Sequence, residues 1–152
     1  MGHGGRDVIF VGLQPWHWVD IPDSAKPRRC EDTRGIIAID ENTNEMLAAC
    51  LFDTWTYNSC QIHIYIKNPI VIKHGFLHEL FDYAFNTGGR NVIIGVTPAD
   101  NAKALKFIRH TGFVKQGVIP DGYKQGVDFV LTTMRAEDCK WLRPKKVGQE
   151  NG

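Results

Sequence analysis

The chain has 152 residues, 43% of them hydrophobic and 23% charged, enough for one domain with a full core and too few for two ordinary ones. Its 18 Lys and Arg against 17 Asp and Glu give a net charge of +1, which excludes the strong basic field of a sequence-independent nucleic-acid binder or of a protein held on an anionic membrane. Cys30, Cys50, Cys60 and Cys139 show no C-x-x-C pair or zinc-type spacing, and no apolar run approaches the roughly 20 residues of a spanning helix, so free thiols in a soluble cytoplasmic protein are expected. The opening MGHGGRD carries Arg6 where an N-myristoylation signal requires Ser or Thr, and it is no secretory signal. Neither nucleic acid nor a membrane is expected as a partner.

Val8 to Val11 reads as a first strand, ended by Gly12 and Pro15. In the stretch LQPWHWVDIPDSAKPRRCEDTRG that follows, Pro15, Pro22 and Pro27 stand too close together for a long helix, so broken turns and loop are expected. Trp16, His17 and Trp18 form either a small core under that loop or a wall of a substrate site. Gly35 to Asp40 and Met46 to Phe52 form a hairpin across the turn-rich ENTNE. In CQIHIYIK, Cys60 to Lys67, strict alternation sets Ile62, Ile64 and Ile66 on one face of a strand and Gln61, His63, Tyr65 and Lys67 on the other. Pro69 ends it, and Phe76, Leu77, Leu80, Phe81, Ala84 and Phe85 recur with the helical period until Asn86 and Gly88.

Asn91 to Thr97 is a β-branched run suited to a strand buried on both faces. Pro98, Asp100 and Asn101 turn the chain and offer cap oxygens to a helix whose stripe is Ala104, Leu105 and Ile108, widened by Phe107 and closed by Gly112. Val114 to Val118 is a strand, followed by a loop through Pro120, Gly122 and Gly126 and by a last strand from Val127 to Thr133. AEDCKWL then makes a helical turn that packs Trp141, within a single domain over 1–142, and 143–152 is a polar flexible tail. The order of elements defines an α/β or α+β fold with one mixed sheet.

Asn101, Ala104, Gly112 and Phe113 spell N-x-x-A-x-x-x-x-x-x-x-G-F, which resembles the coenzyme A-side helix of the GNAT superfamily of N-acetyltransferases. The element order from Val8 to Met134 resembles the same family. The resemblance implies a single mixed, splayed β-sheet flanked by helices and an acetyl group transferred from acetyl-CoA to a primary amine on a small molecule or a protein. It also implies that Asn101 and Phe107 line the coenzyme channel and that the amides of the Tyr65 to Asn68 region, with Ile66 and Lys67, polarise the thioester carbonyl. The irregular region between the first two strands would shape the acceptor pocket. In the family, R/Q-x-x-G-x-G/A holds the coenzyme's phosphates on backbone amides. Here those positions read Ile70, Val71, Ile72, Lys73, His74 and Gly75, of which only Gly75 matches, leaving Lys67, Lys73 and His74 to supply charge. Ile108 stands where many relatives carry a Tyr that protonates the departing thiolate. The alternative is therefore a catalytically degenerate GNAT-fold module that binds a protein partner, and homodimerisation is left open. The end of the chain, GVIPDGYKQGVDFVLTTMRAEDCKWL, resembles the ends of small GNAT-like proteins of tailed bacteriophages, which implies the cytoplasm of an infected bacterium.

Acyl transfer to an amine needs a donor that polarises the carbonyl and a base for the ammonium, without a covalent enzyme intermediate. The base candidates on the polar face of the clearest strand are His63 and Tyr65, with Asp53 at the end of the neighbouring one. Histidine is the side chain best suited to act as a base at neutral pH, which favours His63. His74 and His78, four apart and near Glu79, are two ligands without a third, so no metal is expected. Cys50 and Cys60 lack an assignable histidine partner and read as small apolar strand residues, not nucleophiles.

Overall fold

The computed structural model describes residues 7–142, so the tail expected over 143–152 lies outside the described residues. Seven strands, β1 (Val8–Gly12), β2 (Arg34–Asp40), β3 (Met46–Asp53), β4 (Ser59–Ile66), β5 (Val92–Pro98), β6 (Val114–Lys124) and β7 (Val127–Arg135), form one mixed sheet in the spatial order β1-β2-β3-β4-β5-β7-β6. The helices are α1 (Ile70–Lys73), α2 (Phe76–Asp82), continued by a π-helical turn over Tyr83–Thr87, and α3 (Ala102–Thr111).

β1 to β4 is an antiparallel meander, β5, β7 and β6 are antiparallel among themselves, and the parallel pair β4 and β5 joins the two halves. Every residue of β3 is buried, because both faces of the meander are covered. On one face Cys50, Phe52, Cys60 and Ile62 pack against Phe76, Leu77, Leu80 and Phe81 of α2. On the other, Ile37, Ile39, Ala49 and Leu51 meet Trp18 and Ile21. The aromatic cluster therefore divides. Trp18 enters this second core, His17 is buried with Nδ1 accepting the Gln14 amide at 2.8 Å, and Trp16 is 67% exposed.

The join between the halves is short. β4 and β5 pair only at Ser59 with Val92, Cys60 with Ile93 and Gln61 with Ile94. Beyond that, Ile62 to Ile66 stays in unbroken register with β3 while Gly95 to Pro98 stays with β7, so the two strands part in a V. α1 follows one arm and α3 the other. α3 begins as its sequence demands, with Asn101 Oδ1 accepting the Ala104 amide at 3.1 Å, and ends at Gly112, whose φ of +116° is left-handed.

Two elements differ from the reading of the sequence. The loop expected through Pro120 and Gly122 is strand, since β6 runs to Lys124. Its register jumps from Ile119 opposite Phe129 to Lys124 opposite Val127, a bulge held by the Asp121 amide on Asp128 Oδ1 and the Gly126 amide on Asp121 Oδ1, both 2.9 Å. Pro120 is tolerated there because β6 is the sheet edge and needs no donor. The second difference is α1, a closed helical turn where the sequence reading assigned no element between Pro69 and Gly75.

Candidate active site

The parted strands leave backbone donors without a strand partner. The Lys67 and Asn68 amides both donate to Leu47 O, at 2.8 and 3.0 Å. Along an antiparallel pair, N–H groups alternate between the two edges of a strand, so the Tyr65 amide also faces β3, while those of Ile64 and Ile66 face the β5 side. Pairing with β5 has ended by then, at Gln61. Of the amides the sequence places in this role, from Tyr65 to Asn68, Ile66 alone is directed into the gap. Half-buried Ile64, Ile66, Ile70 and Ile72 on one arm and Phe107 and Ile108 of α3 on the other give the V an apolar rim against the main core.

On the opposite face of β4, His63 stands directly across from Leu51 and diagonal to Asp53. Its Nε2 lies 3.0 and 3.1 Å from the two oxygens of Asp53, whose side chain is only 9% exposed. A carboxylate can only accept, so Nε2 carries the proton and Nδ1 keeps the basic lone pair. Thr54, held at a left-handed φ of 51°, donates its hydroxyl to Asp53 Oδ1 at 3.1 Å and helps fix the carboxylate. Tyr65 follows on the same face, half-buried and opposite Ala49. The sequence nominated His63, Tyr65 and Asp53 separately; the pairing depends on the register of β3 with β4, which no local pattern displays.

The remaining candidates surround the open end of the V. Lys67 is exposed and bonded to Glu45 at 3.0 Å. Lys73 and His74 are exposed at the end of α1. Within this segment the amides of Ile70, Val71, Ile72, His74 and Gly75 are engaged by Asn68 Oδ1, Asn68 O, Pro69 O, Val71 O and Ile72 O, so the turn has closed on itself instead of forming a cradle of free donors. Gly75 then takes φ +88°, and the first helical bond of α2 runs from Glu79 to Gly75 O, which leaves the amides of Phe76, Leu77 and His78 pointing out of the helix end. Asn101 keeps its side-chain NH₂ free of the cap.

Cys50, Cys60 and Cys139 are buried, and burial pushes their thiols up, that of Cys60 to about 12, so none is a thiolate nucleophile at neutral pH. His78 Nδ1 donates to Trp141 O at 2.9 Å and anchors the C-terminal turn, and the described residues contain no group of three metal-binding side chains. None of the described helices is long and apolar enough to cross a membrane. A cavity of about 420 Å³ lies among Leu13, Gln14, Pro15, Trp18, Arg29, Cys30, Glu31 and Thr33, in the irregular region that the sequence resemblance assigns to an acceptor pocket. Of the aromatic cluster offered as a substrate wall, Trp18 lines it, while the lining by Leu13, Arg29 and Glu31 had no signal in the sequence.

A seven-stranded mixed sheet that parts between two parallel strands, with helices following both arms, is the fold of the GNAT acetyltransferases. Among solved structures, a single-residue mutant of spermidine N-acetyltransferase SpeG from Vibrio cholerae matches with a TM-score of 0.73 at 13% identity, over 90% of this chain and 96% of that one. The manganese complex of the same enzyme from Vibrio cholerae matches at 0.68 and 12%, over 84% and 92%. The ribosomal-protein-S5-alanine acetyltransferase of Vibrio fischeri matches at 0.57 and 17%, over 72% of this chain and 64% of that one. No family model matches the sequence, and no curated protein does. At these identities the likeness establishes the fold.

Proposed function

We propose that the chain transfers an acetyl group from acetyl-CoA to a primary amine. The observation that carries this reading is the Ile66 amide aimed into the parted strands while a histidine oriented by a buried carboxylate occupies the same strand. Bound acetyl-CoA supplies an activated acyl carbon as a thioester. The Ile66 N–H donates to the carbonyl oxygen as negative charge gathers there. His63 Nδ1 takes a proton from the acceptor ammonium, and Asp53 stabilises the imidazolium that results. The nitrogen–carbon bond forms, the carbon–sulfur bond breaks, and the Tyr65 phenol, on the same face, returns a proton to the thiolate where Ile108 offers none.

The chain's residues fit the coenzyme at three points. The apolar rim around Ile66 and Phe107 suits the pantetheine, and the Asn101 amide suits its polar groups. The free amides that begin α2, just after left-handed Gly75 and beside Lys73 and His74, suit the phosphates. Likeness to N-acetyltransferases supports the reaction class, and the neighbours' polyamine and protein acceptors leave the acceptor of this chain to its own residues. The cytoplasmic and phage setting belongs to the same proposal and rests on the sequence resemblance.

Calorimetric titration with acetyl-CoA tests the reading. Micromolar binding is expected. No binding at millimolar concentration supports the other reading, a GNAT-fold module that binds a protein partner. His63→Gln lowers kcat about a hundredfold or more, the usual scale for removing a general base, while acetyl-CoA affinity stays unchanged. Unchanged turnover in that variant removes His63 from the mechanism.

A further inference from the structure

The cavity of about 420 Å³ is lined only by residues of the segment 13–33, and it is walled off from the candidate base. On this face of the sheet Leu51 stands between Gly35 and His63, 1% exposed and packed with Trp18 in the second core. His63 is not among the lining residues, so a molecule held in the cavity meets Trp18 and, behind it, Leu51, and not the base. What the cavity takes is a bound ligand and not the amine that reacts.

Hydrogen bonds from outside fix its walls. The Leu13 amide donates to Gly35 O at 3.0 Å on one side. On the other, the turn from Cys30 to Thr33 closes with the Thr33 amide on Cys30 O at 3.2 Å and the Cys30 amide on Thr33 Oγ1 at 3.1 Å. Arg34 Nη1 straps that turn through the carbonyls of Glu31 and Thr33, at 3.0 and 3.1 Å, and Trp55 Nε1 through Asp32 O at 2.8 Å. A ligand then finds the shape already formed, which spares it the cost of ordering a loop.

Two opposite charges face this space. The Arg29 guanidinium lies over the Trp18 ring, 5.4 Å from its centroid, and Glu31 brings a carboxylate to the same lining. Among the described residues neither is ion-paired with the other or with a third group. A guanidinium suits a carboxylate, a carboxylate suits an ammonium, and Leu13, Pro15 and Trp18 add apolar wall. A polyamine would set a second cation against Arg29, and a dicarboxylate a second anion against Glu31. A zwitterion meets both charges at once.

We propose that this cavity binds a free α-amino acid with an apolar side chain, as a ligand that is not itself acetylated. Its α-carboxylate meets Arg29, its α-ammonium meets Glu31, and its side chain lies against Leu13, Pro15 and Trp18. The volume falls within the range of about 300 to 1,000 Å³ that small-molecule sites occupy. The site stands whether or not the chain transfers acetyl groups.

Cys30 supplies a reporter, because it lines the cavity and is exposed whereas Cys50, Cys60 and Cys139 are buried. The experiment is calorimetric titration of the intact chain with leucine, leucinamide and N-acetylleucine, together with the rate at which iodoacetamide alkylates Cys30. Leucine is expected to bind and to slow alkylation, while leucinamide, without the carboxylate, and N-acetylleucine, without the ammonium, bind at least about tenfold more weakly. Arg29→Gln removes the preference over leucinamide and keeps that over N-acetylleucine, and Glu31→Gln does the reverse. Both side chains are exposed, so the circular dichroism spectrum stays unchanged, and a general loss of structure would not give this crossed pattern. No leucine binding at millimolar concentration, either analogue binding as tightly as leucine, binding that leaves Cys30 alkylation unslowed, or conversion of leucine to N-acetylleucine in the presence of acetyl-CoA overturns the proposal.

Discussion

The two arms of the V are each built as strand, corner and helix, yet they handle their backbone donors in opposite ways. After β5, the side chain of Asn101 caps the first turn of α3, and the amides of Ala102 and Lys103 are left without a backbone acceptor. After β4, the corner first winds into α1, which engages its own amides, and only left-handed Gly75 lets a second helix start with donors exposed. Under the proposed acetyl-CoA reading, phosphate binding at the β4 corner would depend on one glycine and two exposed charges. On the β5 side a single side-chain oxygen sets the corner, and no special backbone conformation is required.

Gly75→Val should give the largest effect and separates the arms most sharply. No atom lies within 4 Å of the position a Cβ would take, so the damage comes from the left-handed backbone and not from crowding. It costs about 2 kcal/mol of stability and displaces the start of α2, raising the acetyl-CoA Kd, whereas Gly75→Asn does less because Asn tolerates this conformation. Chemical denaturation and calorimetry on both variants check this. Equal stability of the Val variant and the parent breaks the contrast between the corners.

Lys73→Ala comes next. It weakens acetyl-CoA by about 1.5 kcal/mol, near tenfold, with a shallower salt dependence and unaltered stability. If affinity and its salt dependence persist, the phosphates are held elsewhere, and the free amides at α3 become the place to look. On the other arm, Asn101→Ala removes a cap and costs about 1 kcal/mol of stability, read as a drop in Tm, while Asn101→Asp keeps the accepting oxygen and most of the stability.

The smallest expected effect concerns the irregular segment that builds the cavity. Burial pushes the His17 pKa below its ordinary value, opposed by nearby Asp20. The unfolded chain then takes up a proton near pH 6.5 while the folded chain resists it, so stability falls as pH drops below about 6.5 and levels off below the folded value. Thermal melts between about pH 7 and 5 should show this slope reduced in His17→Gln. An identical slope in that variant assigns the dependence to other groups.

What could be read in the sequence follows the range of the interactions involved. The alternation of β4, the Asn101 cap and the Gly112 stop are decided within a few residues, and the structure places them where the pattern does. The element order implied one mixed sheet, and the resemblance carried by Asn101 to Phe113 implied that it parts. The closed α1 turn was not readable, because Ile70 to Lys73 satisfies its amides through Asn68 and Pro69 and no periodicity marks so short a turn. The bulge of β6 was misread because Pro120 and Gly122 signal a loop in isolation, and only pairing with Phe129 and Asp128 turns them into strand. At the site, His63 and Asp53 were visible as residue types and invisible as a pair. A pocket in the irregular region was expected from the resemblance, but its lining was not legible, since Leu13, Trp18 and Arg29 come to one cavity only through the fold of the segment between β1 and β2.

The three residue pairs that join β4 to β5 have a mechanical meaning. The sheet resembles two stiff panels sharing a short hinge, braced from behind by Phe81 of α2 against Phe113, their ring centroids 6.1 Å apart. An extended ligand bound in the V would touch both panels and act as a splint, adding its contacts to the single core that Ile93, Phe113 and Met134 already share with Cys50, Phe52 and Phe76. Occupancy of the V would then raise the melting midpoint by mass action, and a ligand that touched one arm alone would raise it less.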